Sequence, residues 1–285
     1  VNKNTESEWV KGYISRLFFR LIASTTLLLR RMKSFGKIAI LGTGNVAWHL
    51  CKALLAANLS ISGIYGRNKK SLKAFKSDFD IPVFTDFKEI NTADVAICAI
   101  SDNALVNYLE ELQLTIPVAY TSGSIPLESF SINQIGVFYP LQTFTKGTDL
   151  SLDNVPFLIE SKDETLAKKL YNLAAKISKS VHYADSKTRS ELHLAAVFAN
   201  NFTNHMFTIA ETYLKQQKIN FNFLLPLIEE SVKKLNLNAA KAIQTGPAKR
   251  GDQNIIQAHL DKLGGREKEI YALLTKAIQE KHEKL

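Results

Sequence analysis

The stretch Lys37-Ile-Ala-Ile-Leu-Gly-Thr-Gly-Asn-Val-Ala47 constrains this chain most, because it runs from a short apolar strand through a glycine turn straight into a helix. Such a junction cradles a dinucleotide pyrophosphate. Gly42 takes the tight turn, Gly44 lets the backbone approach the phosphates, and Ala47 is small enough for the new helix to pack on the strand it has left. The bare amides and positive dipole of the helix N-terminus then face the anion. Asn45 and Val46 open that helix, and Trp48, Leu50, Leu54 and Leu55 give it an inward face. A plain tight turn would use the same small residues, so the reading depends on the residues downstream of Ala47.

Downstream, strand and helix patterns alternate. Ile61 to Tyr65 reads as a strand, Ser71 to Phe79 as a helix, Val83-Phe84 as a short strand, and Val95 to Ile100 as a continuous apolar, fully buried strand. A helix at Ala104 to Leu112 and strands at Val118 to Thr121 and Val137 to Tyr139 continue the series. A strand at Phe157 to Glu160, a helix at Glu164 to Ser178 and a strand at Val181 to Tyr183 extend it. The pattern predicts an α/β fold with a doubly wound, mostly parallel sheet over residues 32–185. From Ser186 onward only helical periodicity remains, which predicts an all-α domain over 186–285. Its leading helix, about Ser190 to Lys215, carries Ala195, Phe198, Phe202, Met206, Ile209 and Tyr213 on one side at 100° per residue, and His193, Asn200, Asn204 and Glu211 on the other. That polar side is either a solvated face or the wall of a polar cleft.

The formal charge of the 285 residues is +9, but residues 1–31 hold six basic and two acidic side chains, leaving 30 basic against 25 acidic and a net of +5. No aromatic-basic stripe points to nucleic acid, and a modest positive excess suits a protein that holds polyanionic dinucleotides. The first methionine is Met32, just ahead of the glycine-turn strand, so residues 1–31 are expected to be an N-terminal extension outside the fold. The apolar run Leu21 to Leu29 is shorter than the about 20 residues a membrane span needs. Arg30-Arg31 stands where a signal peptide would carry small residues. The expectation is a cytoplasmic protein without a membrane partner. Cys51 and Cys98 have no Cys-x-x-Cys or ligand spacing and read as small core residues in a reducing compartment.

The end of the second strand distinguishes NAD from NADP, since an acid there bonds the ribose 2′-hydroxyl and would repel a 2′-phosphate. This chain reads Ile64-Tyr-Gly-Arg-Asn-Lys-Lys70, with no acid. Arg67 with Asn68 and Lys69 or Lys70 offers a clamp for a phosphate dianion, so NADP is the expected cofactor; a solvated basic turn is the alternative. Ser101 and Asp102 end the fourth strand pattern at the lip of the crevice. Ser101 is expected near the ribose and nicotinamide, and Asp102 as the N-cap of the next helix.

Five segments, Leu41-Gly-Thr-Gly-Asn-Val-Ala, Tyr120-Thr-Ser-Gly-Ser124, Tyr139-Pro-Leu-Gln-Thr-Phe144, His193-Leu-Ala-Ala-Val-Phe-Ala-Asn200 and Thr245-Gly-Pro-Ala-Lys-Arg-Gly-Asp252, occur in order from about residue 36 to the end. Together they resemble a bacterial family that joins a Rossmann-like domain to a C-terminal domain of unknown function. That family is related to pyrroline-5-carboxylate reductase, deazaflavin-linked NADP oxidoreductases, ketopantoate reductase and the 6-phosphogluconate dehydrogenase group. The resemblance implies an NADP-binding fold, a helical domain that often dimerises, and a substrate cleft between the domains. It does not imply a substrate. Many members have histidine where this chain has Tyr120 and Tyr139, and the lysine that the β-hydroxyacid dehydrogenases carry at the head of the long helix is absent. His193 and Asn200 stand there instead, seven residues and about 10.5 Å apart in a regular helix, too far to share one small carbonyl oxygen.

Reduction of a carbonyl or imine needs a proton donor and groups that hold the developing anion. His193 is the expected proton donor, against the alternative of a packing or capping histidine, and Asn200 the group that orients the substrate carbonyl. Gln142, with Tyr139 beside it, is expected to line the substrate cleft. Arg250 could fork onto a substrate carboxylate or phosphate, or close its loop by an ion pair; Asp252 reads as the N-cap of the following helix. His193 and His205 are twelve residues apart, about 18 Å along a helix, so no metal is expected. These residues predict an NADP-dependent oxidoreductase acting on a small polar substrate as a homodimer. The alternative is an NADP-binding sensor or regulator without turnover.

Overall fold

The structure, a computed structural model, describes residues 35–282, and the expectation that residues 1–31 form an extension lies outside them. The described chain falls into a first unit that ends at Val197 and a second that runs from Phe198.

The first unit is a seven-stranded sheet in the order β2-β1-β3-β4-β5-β6-β7. The strands are β1 (Lys37–Leu41), β2 (Ser60–Tyr65), β3 (Val95–Cys98), β4 (Val118–Tyr120), β5 (Ile135–Pro140), β6 (Phe157–Ser161) and β7 (Val181–Tyr183). All neighbours pair in parallel except β5 and β6. Between them run α1 (Asn45–Ala56), α2 (Lys69–Phe79), α3 (Asp102–Leu112) and α4 (Glu164–Ala174), and α5 (Ser186–Ala196) follows β7.

Side chains that alternate along a strand explain how one sheet feeds two cores. Ile38 and Ile40 of β1 and Val95 and Ile97 of β3 join Leu50 and Leu54 of α1, Phe75 of α2 and Leu170 of α4 on one face. Ala39, Leu41, Ala96 and Cys98 join Leu105, Leu109 and Leu112 of α3 on the other. Every residue of β3 is buried, as its unbroken apolar run predicts.

Val83-Phe84 is not a strand. Only a single parallel bridge joins Val83 to Ile64. Pro82 has no N–H to donate, and the Asp86 N–H, the next after Phe84 on the side that faces β2, is drawn off by the Glu89 carboxylate at 2.9 Å, which with Asp86 caps a short 3₁₀ helix, Phe87–Thr92. The bridge still lies outside β2, where the third strand of a doubly wound sheet belongs.

The expected continuous helix from Ser190 is also corrected. Helix α5 starts earlier, capped by Asp185, and gives way at Val197–Phe202 to a π-helical segment before α6 (Thr203–Gln216). Thr203 donates its hydroxyl to the Phe198 carbonyl, five residues back, at 3.3 Å. A count at 100° per residue therefore ends at Ala196 and cannot place Asn200 relative to His193.

In the second unit, α6 is followed by α7 (Leu225–Leu235), α8 (Ala240–Ile243), α9 (Pro247–Arg250), α10 (Gln253–Leu260) and α11 (Gly265–His282). Met206, Ile209 and Tyr213 of α6, part of the predicted apolar stripe, share a groove with Ile270, Tyr271 and Leu274 of α11. Many large apolar side chains of this unit are exposed, among them Phe223, Leu227, Leu237 and Leu273. No described helix is long and apolar enough to cross a membrane.

Candidate functional site

Every strand from β1 to β4 ends at one crevice of about 470 Å³. Its walls are Gly42 to Val46 after β1, Gly66 to Asn68 after β2, Ala99 to Asp102 after β3, and Thr121 after β4, with Tyr108 of α3 behind them. This is the carboxyl edge of the sheet where β1 turns to β2 on one side and β3 on the other, the switch point at which doubly wound sheets take ligands.

The glycine turn fits the close approach its sequence predicts. Gly42 has φ +109°, and a Cβ there would lie 2.3 Å from the Ala99 carbonyl oxygen, so the turn is pressed against the end of β3. At Gly44 a Cβ would meet no atom within 4 Å, so a methyl group would occupy open space at the crevice wall. Ala47 is fully buried where α1 crosses β1. Among the five α-helices described in this unit, α2, α4 and α5 have side-chain N-caps, supplied by Asn68, Asp163 and Asp185. Helices α1 and α3 have none, and both of their N-termini line the crevice. Unsatisfied amides and an uncompensated dipole with no acid in the first turn of α1 suit an anion. The donor set thus fits a dinucleotide pyrophosphate.

Arg67 lines the crevice, is exposed, and makes no ion pair or hydrogen bond among the described residues. Asn68 lines it too, but its side-chain oxygen accepts the Ser71 N–H and caps α2. Lys69 opens α2 and lies outside the lining. Asn45 is at the wall with its side-chain amide donated to the Phe144 carbonyl at 2.9 Å, tying the segment after β5 onto α1. His49, one turn on and buried, donates Nε2–H to the Thr145 carbonyl at 2.9 Å, and Lys52 pairs with Asp149 at 2.7 Å. Ser101, not Asp102, is the N-cap residue of α3. It makes no side-chain cap bond, and Asp102 supplies the acid of the first turn. Burial raises the Tyr108 phenol above its usual range, with Cys98 and Tyr65 adding to the shift and Arg67 opposing it. Thr43, Gly66, Ala99, Ile100 and Thr121 were not singled out from sequence; the places of Thr43 and Gly66 just after strand ends would have indicated them, whereas Ala99, Ile100 and Thr121 had been counted into strands that end at Cys98 and Tyr120.

His193, near the end of α5, has its Nδ1 3.0 Å from the Tyr139 hydroxyl of β5. Beside this pair lies a buried polar cluster that the sequence did not reveal. The fully buried Arg189 guanidinium donates to the carbonyls of Ser122 (3.0 Å) and Ile125 (2.8 Å), to Ser186 Oγ (3.1 Å) and to the Glu160 carboxylate (2.9 Å). Its Nη2 is 3.4 Å from the Tyr120 hydroxyl, which donates to the Ile125 carbonyl at 2.9 Å. Burial pushes the Tyr120 phenol up. Gln142 is exposed, its side-chain oxygen accepting the Thr143 N–H at 2.7 Å.

In the second unit, Asn200 is an exposed residue of the π segment. Arg250 ion-pairs with Asp252 at 2.8 Å. Asp252 holds the N-cap position of α10 yet makes no cap bond, its carboxylate being turned to Arg250. Cys51 and Cys98 are buried and free, and burial pushes the Cys51 thiol up to about 12 and the Cys98 thiol further.

Residues 37–117 match the family model described as "NADP oxidoreductase coenzyme F420-dependent", and residues 155–278 match a domain of unknown function, DUF2520. A "putative NADP oxidoreductase" from Bacteroides fragilis is 35% identical, with 88% of this chain and 99% of that one covered at a TM-score of 0.81. A Thermotoga maritima protein is 20% identical with a TM-score of 0.62 over 87% of this chain and 98% of that one. A 1-pyrroline-5-carboxylate reductase from Streptococcus pyogenes, at 14% identity and TM-score 0.58 over 88% and 99%, shares the fold. No curated protein matches the chain.

Proposed function

Because the chain belongs to the family that joins an NADP oxidoreductase, coenzyme F420-dependent type, domain to the DUF2520 domain, we propose that it is an NADP-dependent oxidoreductase acting on the carbonyl or imine of a small polar substrate. The observation that carries this reading is the crevice at the carboxyl edge, where the glycine turn, the uncapped end of α1 and an unpaired Arg67 lie together. In this reading the backbone from Gly42 to Val46 holds the pyrophosphate. Arg67, with Asn68 and Lys69, binds the 2′-phosphate and sets the preference for NADP over NAD. Ser101, its hydroxyl free of any cap bond, takes the nicotinamide ribose. NADPH, when bound, supplies the hydride.

His193 donates the proton, and Asn200, Gln142 and Arg250 are assigned to orienting the substrate. We further propose that the protein is a cytoplasmic homodimer. The two free, buried thiols support the reducing compartment. The exposed apolar side chains of the second unit support a second copy as the dimer partner.

The test is NADPH consumption with a panel of keto acids, aldehydes and imines, for the wild type and His193→Ala. Turnover on at least one class, with the rate of the variant lowered about 10²- to 10⁴-fold, is expected. An unchanged rate removes His193 from the mechanism, and cofactor binding without turnover on any class favours a sensor.

A further inference from the structure

We propose that Tyr139 is a positioning residue for His193, holding Nδ1 so that Nε2 is the nitrogen from which the proton leaves. The inference rests on the reading of His193 as proton donor and adds a second residue to it.

Tyr139 and His193 are 54 residues apart in sequence, yet the phenol hydroxyl and Nδ1 are 3.0 Å apart and the rings meet edge-on. The Nε2 atom has no partner among the described residues. Three further features hold the contact in place. Tyr139 is 9% exposed, at the end of a fully buried strand. Arg189 stands one turn before His193 on the same face of α5. It grips the loop after β4 through the Ser122 and Ile125 carbonyls, on either side of Gly123. The Ser122 hydroxyl accepts the Ser124 and Ile125 N–H groups and closes the same loop. Gly123 is thereby set behind the pair, where a Cβ would lie 2.7 Å from both His193 Nδ1 and Tyr139 Cζ. Only a residue without a side chain lets the two rings keep their bond.

The chemistry is set by what each atom must do. An imidazolium that releases its proton from Nε2 must keep the other on Nδ1, and that proton needs an acceptor. The proton passes from Nε2 to the oxygen or nitrogen made basic when the carbonyl or imine takes hydride. The imidazolium becomes a neutral imidazole, and solvent later restores the proton. A phenolate at Tyr139 would bind the imidazolium and oppose release. Burial first, and the nearby Asp102 charge second, hold the phenol proton on, with Arg189 acting the other way. The oxygen therefore remains a neutral hydroxyl that accepts from Nδ1–H before and after the transfer.

The experiment is ¹⁵N–¹H correlation spectroscopy of the imidazoles in the full chain, with His193 assigned from the signals lost in His193→Gln. The neutral His193 of the wild type is expected to carry its proton on Nδ1. Tyr139→Phe, which removes one oxygen and keeps the ring, is expected to move that proton to Nε2 and to lower kcat about 10-fold with KM little changed. Gly123→Ala is expected to move the proton in the same way while leaving both partners in the chain. A wild-type neutral imidazole protonated on Nε2, or the same tautomer in wild type and Tyr139→Phe, overturns the proposal. NADPH titration of the same samples separates the two readings. Absent binding sinks the proposed function, while the tautomer still decides the role of Tyr139.

Discussion

Gly42 and Gly44 stand two residues apart in one turn, and replacing each by alanine should damage different properties. At position 42 the new Cβ would sit 2.3 Å from the Ala99 carbonyl oxygen and 2.9 Å from its carbon. Both are backbone atoms of a sheet edge that cannot swing aside, and the φ of +109° adds strain for any L side chain. Left-handed backbone costs roughly 1–2 kcal/mol and overpacking typically about 1–3 kcal/mol, so Gly42→Ala should lose about 2–5 kcal/mol of unfolding free energy. Position 44 has φ −80° and ψ −174°, which alanine adopts freely, and a Cβ there touches nothing. Gly44→Ala should leave the unliganded protein as stable as wild type or up to about 1 kcal/mol more so, through the unfolded chain. Its added methyl would fill the space assigned to the pyrophosphate, lowering NADPH affinity at least about 10-fold, or 1.4 kcal/mol. Urea unfolding followed by tryptophan fluorescence, with cofactor titration of each variant, reads both effects. Wild-type affinity in Gly44→Ala would mean that no phosphate lies against that turn, and wild-type stability in Gly42→Ala would refute its packing on Ala99.

Arg189→Met should cost about 3–5 kcal/mol in chemical unfolding, because it leaves the 15% exposed Glu160 carboxylate without its cation; adding Glu160→Gln should restore part of that loss, and no recovery would mean that the pair is not coupled. Thiol reagents at mildly alkaline pH should label neither Cys51 nor Cys98 in the folded protein and both after unfolding, since burial holds both thiols protonated; fast labelling of the native chain would contradict their burial. Backbone N–H bonds from Asp86 and Thr85, and the Thr85 hydroxyl, hold the Glu89 carboxyl below its usual value. A folded-state value below the unfolded one gives stability that is present above the unfolded pKa and fades as pH falls through the folded one. Glu89→Gln should therefore flatten the acid limb of the stability profile, and an unchanged limb would refute that assignment.

The glycine turn, the buried β3 and the carboxyl-edge crevice were legible because each is written locally, as an unbroken apolar run or a turn that only small residues fit. Arg67, picked out by its distance from the turn, lines that crevice. Val83-Phe84 misled because its β-forming side chains do not show that Pro82 lacks a donor and that Glu89 takes the Asp86 N–H. The long helix misled because its π segment depends on backbone shifts that no 100° count contains. Arg189 was invisible for a different reason: its partners Tyr120, Ser122, Ile125 and Glu160 come from the end of β4, the loop after it and β6, 29 to 69 residues away. Nothing near it in sequence marks a basic residue as buried. The Tyr139–His193 contact likewise depends on Gly123 from a third segment. Chemistry assembled from distant strands leaves single residues as its only trace in the chain.

Parallel fluorescence titrations of the wild type and Arg67→Ala with NADPH and with NADH test the central claim most directly. The wild type should bind NADPH at least about 10-fold tighter than NADH, a difference of 1.4 kcal/mol, and Arg67→Ala should erase that preference while its affinity for NADH stays the same. Equal affinity of the wild type for the two dinucleotides, or no binding of either, would contradict the account.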